Sequence, residues 1–365
     1  TGTVCRLTHN DGIKRQSLNY AIASDDFEKA KSLGYIYVVE ATKRPINLLP
    51  ILNLQSDLQR NGDLQQRISL LGSKLALISG IRIEVSPMIS SSSTYYNLEE
   101  RIAALNQYCM YTMTGESYQE RGNLYKILER LSITSVSIVD LYCNRNSLKE
   151  EAEICSILQA IPSYIRINLH MMVDEFYSLA KEFTNIFQLN NNIHLKLYAD
   201  KYTTNNAITK CLSISHELFF FVYSNKDLEL IDRINDNNIH ICPVVLNNNI
   251  NWINTCVCLS KKDISTGAYS FNRLFRNMKL NANFFGIIDI CVDGCIRAHG
   301  AKNILGHLAD KNFSLIDVVI KELQQNNSWR RTRDIHPACS KCGLRYLCPP
   351  LSIFELHGVI DKICK

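Results

Sequence analysis

The chain has 365 residues, a mass of 41.7 kDa and a formal net charge of +5 from 40 basic and 35 acidic residues. That length can bury a large core, and 46% hydrophobic with 21% charged residues is ordinary globular composition, so disorder, collagen and coiled coil are excluded. No apolar run approaches the ~18–20 residues that span a bilayer, no secretory pattern opens the chain, and a start at Thr1-Gly2-Thr3 without Met fits a trimmed protein.

Residues 1–75 are irregular in hydrophobic period. Tyr35 to Val39 reads as a strand, Pro45 and Pro50 flank Ile46 to Leu49, and Leu54 to Leu71 reads as a helix. Further strands are expected at Ile81 to Val85, Ile133 to Val139, Ile165 to Leu169, Ile193 to Tyr198, Leu218 to Tyr223 and Ile239 to Leu246. Helical spacing lies between them, at Asn97 to Tyr108, Glu116 to Leu131, Leu148 to Gln159, Met172 to Phe187, Thr204 to Leu212 and Lys226 to Asn235. Asp174, Thr203 and Asn225 are N-cap candidates.

From residue 133 the strand–helix alternation repeats every ~22–31 residues, as βαβ units of a parallel sheet do. The choice is an open doubly wound sheet or a full or partial β/α barrel. No G-x-G-x-x-G follows a strand, so a dinucleotide site is not expected. The expected fold class is α/β, a partial TIM-like β/α barrel, with ligands meeting the C-terminal ends of its strands.

Periodicity shifts between residues 275 and 283. Phe284 to Ile290 reads as a strand, Asp293-Gly294 as a hairpin turn, Ile296 to His299 as the return strand and Ser314 to Gln324 as a helix. Two domains are expected, a barrel over 1–280 with an irregular N-terminal segment and a small cysteine-rich domain over 281–365.

Fourteen cysteines without a secretory signal point to a reducing, cytoplasmic setting, where core thiols, metal ligands or reactive thiols are expected in place of disulfides. The tail spells C-x2-C-x5-C-P-x14-C through Cys339, Cys342, Cys348 and Cys364. A tight C-x2-C turn aims two sulfurs at one centre, and a loop and a returning chain bring the others. Four cysteines suit tetrahedral zinc, although zinc favours two short knuckles, and they suit an iron–sulfur cluster with its wider spacings and Cys-Pro step.

Cys339-x2-Cys342-x5-Cys348 with a distant last cysteine resembles the C-terminal SPASM domain of peptide-modifying radical SAM enzymes, and Asp293-Gly294 and Asn303 to Gly306 resemble the segments that precede it. The resemblance implies one auxiliary [4Fe–4S] cluster on Cys339, Cys342, Cys348 and Cys364, with zinc as the alternative. Where the family places cysteines for a second cluster, this chain has Ser352, His299 and none within 278–284. A C-x3-C-x2-C triad for S-adenosylmethionine is missing as well: Cys291-x3-Cys295 is followed by Ala298 at the third place, so no S-adenosylmethionine chemistry is expected. A barrel-like chain with a SPASM tail and no such triad resembles the pseudo-radical-SAM/SPASM proteins of GG-Bacteroidales peptide-modification systems, a resemblance carried by Cys342 to Ser352 and, more weakly, by Ile51 to Gln55. It implies a non-catalytic accessory protein that binds a precursor peptide or a radical SAM/SPASM maturase, and neither nucleic acid nor membrane.

Other residues have competing readings. His299 is a ligand in a vacated cysteine place, or a hairpin cap facing solvent. His336 and His357 are donors to the metal ligands, or surface residues. Cys256 and Cys258 share a face if extended, Cys242 is core, and Arg345 reaches cluster sulfur or solvent. Arg330, Arg331 and Arg333 beside Trp329 form the densest basic run, read as a solvated linker or an anion contact. Two rivals remain, an enzyme at the barrel mouth using Asp140, His170 and Asp200, and a zinc-binding interaction module.

Overall fold

The computed structural model describes residues 77–86, 98–110, 122–143, 148–176, 192–203, 216–232, 239–267 and 269–364, with isolated positions between. The expected strand at 35–39, the helix at 54–71 and the segment 51–55 lie outside the described residues.

Short runs of Ile, Leu and Val alternating with polar residues become six parallel strands: β1 (Gly80–Glu84), β2 (Ile138–Tyr142), β3 (Arg166–Met172), β4 (Ile193–Ala199), β5 (His216–Val222) and β6 (Ile239–Pro243). They lie side by side in chain order. On the far side of β1 come β7 (Ile287–Ile290), parallel to it, then β8 (Cys295–Ala298) and β9 (Ile304–His307), both antiparallel. The nine strands form one open, mostly parallel sheet in the order β6-β5-β4-β3-β2-β1-β7-β8-β9. The first five crossovers all step in one direction, which is not the order of a doubly wound sheet.

The described helices are α1 (Leu98–Tyr108), α2 (Gly122–Glu129), α3 (Leu148–Ala160), α4 (Asn225–Ile231), α5 (Ile250–Cys256), α6 (Lys261–Ser265), α7 (Phe271–Lys279), α8 (Leu315–Gln325) and α9 (Ile353–Leu356). None of the described helices is long and apolar enough to cross a membrane. One sheet face is apolar: Ile81, Ile83, Val139, Leu141, Ile167, Leu169, Leu195, Leu197, Leu218 and Phe220 join Leu124, Ile127, Ile157, Val319 and Leu323 of α2, α3 and α8 in the main core. Each such side chain contributes about 1.5–3 kcal/mol by leaving water.

Several boundaries differ from the expectation. The strand expected at Ile133 to Val139 begins later, because Arg130–Ile133 is a 3-10 turn closed by Thr134, whose Oγ1 donates to Leu131 O and accepts from Val136 N. Ser224, not Asn225, caps α4, through a capping box with Asp227. Asp174 lies within the helical turn after β3 rather than before it. Cys256 ends α5, so Cys256 and Cys258 are not on a strand.

The sheet runs through the expected boundary at 275–283, since β1 pairs with β7 from Gly80↔Ile287 to Ile83↔Ile290. Three asparagines there hold the cysteine loop by its carbonyls. Asn277 Nδ2 donates to Tyr346 O and Cys348 O, Asn281 Nδ2 to Arg331 O and Leu351 O, and Asn283 Nδ2 to Leu351 O, at 2.9–3.2 Å.

Candidate functional site

The four tail cysteines converge from three stretches of irregular chain. Cys339 and Cys348 are buried, Cys342 and Cys364 half-buried, and no disulfide joins the described cysteines. The Cys348 thiol is pushed up to about 11, first by burial and further by the neighbouring Cys364, Cys342 and Cys339, against the pull of Arg333. Burial also raises Cys339, while a bond from Arg333 lowers it.

Arg333 organises this end of the molecule. Its Nη1 lies 3.1 Å from Cys339 Sγ, its Nε donates to Pro349 O at 2.7 Å, and its two terminal nitrogens grip Glu355 at 2.8 and 3.1 Å. Glu355 also accepts from Ser352 N, as N3 of the α9 capping box, and from Ile363 N at 3.0 Å, next to Cys364. The last residues dock through Leu259 N to Ile363 O at 2.8 Å and a bridge between Leu259 and Cys364. Cys342 is held by its carbonyl, which accepts from Arg345 Nη1 at 2.9 Å.

Among the described residues, the ligand-type triad whose atoms all lie within 4.8 Å of one another is His336, Cys339 and Glu355. Glu355 is committed to Arg333, so the cysteines are the better ligand set. No three of their sulfurs fall within that same 4.8 Å. Tetrahedral zinc, with Zn–S near 2.3 Å, would draw them to ~3.8 Å.

A second polar constellation covers the sheet face opposite the main core. Register aligns Arg297, Asp289, Arg82, Asp140, Asn168 and His194 in one row across six strands. The next row holds Glu84, Tyr142, His170, Lys196 and Glu217, and a third holds Met172, Tyr198, Phe219 and His240. Asp140 Oδ1 lies 2.9 Å from His170 Nε2 and accepts from Asn168 Nδ2 at 2.6 Å. Burial works to raise the Asp140 pKa, but the His170 bond, the Arg82 charge and the Asn168 bond outweigh it and hold the carboxyl well below the usual range. The carboxylate can only accept, so His170 Nε2 carries the proton and Nδ1 accepts from the Tyr198 hydroxyl at 2.7 Å. Burial lowers the His170 pKa against the pull of Asp140, which leaves the ring neutral. Tyr198 in turn meets the Cys109 thiol. Beside this chain Arg82 bonds the Tyr142 hydroxyl through Nε and Nη2, at 3.0 and 2.5 Å, and approaches His299, whose Nδ1 lies 3.0 Å from Asp289 Oδ2.

Helix α1 lies over the C-terminal ends of β4 to β6. Arg101 makes a two-bond pair with Asp200, at 2.6 and 2.8 Å, and reaches Asp174 at 3.2 Å. Gln107 clamps both backbone groups of Val245 at 2.8 Å, and the Tyr108 hydroxyl donates to Pro243 O at 2.5 Å. Ala104, Leu105 and Cys109 pack with Tyr142, Tyr198 and Phe221 into a second apolar cluster.

These positions correct several readings. Asp140 and His170 lie mid-strand and meet, and only Asp200 is at a strand end, bound to α1. His299 is half-buried and belongs to the Arg82–Asp289 group. Cys291 and Cys295 join the apolar cluster around Cys109, and burial pushes the Cys291 thiol up to about 12. His336 Nε2 donates to Asp361 O and His357 Nε2 to Gly300 O, so each binds backbone. Arg345 has no bond to a described sulfur: its Nε donates to Asp334 at 2.7 Å and it stacks on Tyr346, with its side chain partly exposed to solvent. The basic run is no linker: Arg330 and Arg333 are buried, Arg330 donates to Leu323 O, and Arg331 is exposed. Cys242 is core, as expected.

Sequence reading missed the sheet-face rows as a set, and Arg101 and Glu355, and it did not foresee the pairing of Arg333. The signal for the rows was present: Ile81-Arg82-Ile83-Glu84, Val139-Asp140-Leu141-Tyr142 and Ile167-Asn168-Leu169-His170 put a polar residue at every second place of strands that, in a parallel sheet, are ordinarily apolar on both faces. No known protein-family model matches the chain, and comparison with curated proteins found no similar sequence.

Proposed function

We propose that this is an accessory, non-catalytic iron–sulfur protein that acts beside a radical SAM maturase in modifying a ribosomally made peptide in the cytoplasm. Cys339, Cys342, Cys348 and Cys364 would hold one [4Fe–4S] cluster. The observation that carries the reading is the Arg333–Glu355 pair, which ties the segments of Cys339, Cys348 and Cys364 together and sets a guanidinium N–H on one sulfur. An arginine N–H on a cluster thiolate stabilises its charge and tunes the potential. Sulfurs set wider than one metal ion needs suit a cluster better than zinc. The one-directional order of β1 to β6 supports a partial barrel, and the β7–β8 hairpin followed by a cysteine loop supports a SPASM-like tail. Bound there, the cluster supplies a structural cross-link or a one-electron relay. A cluster ligated wholly by protein thiolates keeps no open iron, so it would bind no substrate at the metal.

Anaerobic purification with iron, sulfide and zinc quantitation tests this. A brown protein with about four irons and four sulfides is expected. A colourless protein with one zinc per chain overturns it and leaves the zinc-module reading.

The Asp140–His170–Tyr198–Cys109 chain favours a second reading, an acid–base enzyme on the sheet face. Any turnover that survives loss of the cysteine ligands but fails in Asp140→Asn would support it.

A further inference from the structure

Two cavities meet beside β8. The inner one, about 260 Å³, reaches Arg82, Glu84, Asp289, Arg297 and His299. The outer one, about 200 Å³, reaches Asn303, Asn327 and Arg331. Both share Gly300, Ala301, Lys302 and His357, so the two chambers adjoin along one path, the channel, with those residues as the wall between them. His357 builds the shared wall by donating to Gly300 O at 3.1 Å. Gly300 has φ +77°, and a Cβ there would lie 3.0 Å from the Phe284 ring, so the wall needs glycine.

The charges of this channel are uneven. Its carboxylates are engaged: Glu84 accepts from Val292 N, and Asp289 faces His299 and Arg82. Three of its cations have no carboxylate partner among the described residues, although Arg331 Nε donates to Asn326 O and Arg297 bonds Cys295. Among the described residues no carboxylate lies within 4.0 Å of Arg297, Lys302 or Arg331, spaced from the inner chamber to the rim. Unpaired cations along a narrow channel raise the local concentration of anions. Among the described residues no Phe, Tyr or Trp lines either chamber, so these offer no stacking platform for nucleic-acid bases. Chambers of this size admit a side chain or two at a time, which fits an extended peptide.

We infer that this channel binds an acidic stretch of peptide, with glutamate or aspartate carboxylates on Arg297, Lys302 and Arg331. The inference deepens the proposed function, on which it rests for the peptide, by naming the chemistry that the peptide must offer. Fluorescein-labelled hexaglutamate tests it by anisotropy on the full-length protein at low salt, with hexaglutamine and hexathymidylate as comparison probes. Hexaglutamate should bind, hexaglutamine should not, and the exposed double substitution Lys302→Gln/Arg331→Gln should weaken binding at least tenfold. Arg276→Gln/Lys279→Gln on α7, which removes the same charge elsewhere, should not. The inference is overturned by no hexaglutamate binding, by equal weakening in both double variants, or by tighter binding of hexathymidylate. Iron measured on the same samples separates the two claims. A brown protein blind to hexaglutamate sinks the channel alone, and a zinc protein that binds it sinks the cluster alone.

Discussion

Arg333 and Glu355, buried and joined by bonds of 2.8 and 3.1 Å, are the knot from which three of the four cysteine segments hang. Through Cys339 Sγ, Pro349 O and Ile363 N, the pair touches turns that are remote in sequence. Burial alone would lower the Arg333 pKa, but Glu355 outweighs it and keeps the guanidinium charged.

Arg333→Met should therefore destabilise the protein by ~3–5 kcal/mol, because it leaves Glu355 as a buried, unpaired charge. Arg333→Met/Glu355→Met should recover most of that stability, since an apolar pair removes the stranded charge. It should still load less iron, having lost the N–H on Cys339. Urea denaturation and iron content on both variants check this; a double variant as unstable as the single one would refute the charge argument.

Arg101→Met should cost ~3–5 kcal/mol by the same reasoning, now at Asp200. It should also loosen α1 from the strand ends. Limited proteolysis should then cut within 98–108 sooner than in the parent. Equal digestion would mean that Gln107 and Tyr108 suffice to hold the helix.

Acid should weaken the fold in two stages. Burial lowers the pKa of His170 and of His357, so below about pH 6.5 the unfolded chain takes up protons that the native chain refuses. Stability should fall as pH drops from there, by at most ~1.4 kcal/mol per unit for each group. Asp140, whose pKa is depressed, adds a further loss below about pH 4, where the unfolded carboxyl protonates first. His170→Gln should flatten the slope between pH 6.5 and 5 in guanidinium titrations; an unchanged slope would remove His170 from the account.

Gly286→Ala should destabilise by at least ~1–2 kcal/mol, the cost of a left-handed residue that carries a Cβ. Gly286 has φ +77°, and the new Cβ would lie 2.5 Å from Leu77 O. Gly343→Ala, inside the cysteine loop but with nothing within 4 Å, should leave the melting temperature unchanged. Thermal melts of both decide it.

The strands from β1 to β6 were legible because Ile, Leu and Val recur at every second place, and the hairpin because Asp293-Gly294 marks its turn. The cysteine set was legible because C-x2-C spacing constrains geometry locally. Arg333, Glu355 and Arg101 were not, since their partners lie 22 and 99 residues away and no local pattern announces such pairs. Arg330 and Arg333 were misread for a related reason: composition suggests solvent for a basic run, but Asn277 and Asn281 draw the loops in and bury two of its three arginines. His299 was weighed as a metal ligand or a hairpin cap and not as an ion-pair partner, although Asp289, which it meets, sits opposite Arg82 in the strand register.

Pairing β1 with β7 has a consequence for biosynthesis. At ordinary translation rates the ribosome needs roughly 10–40 s to deliver the about two hundred residues between them. Throughout that interval the nascent β1 shows one backbone edge bare, beside Ile81 and Ile83. Contacts of such long sequence separation also slow folding in general. Strands β7 to β9, made after β1 to β6, are thus what cover that edge, and a chain released before them would offer it to its neighbours for aggregation.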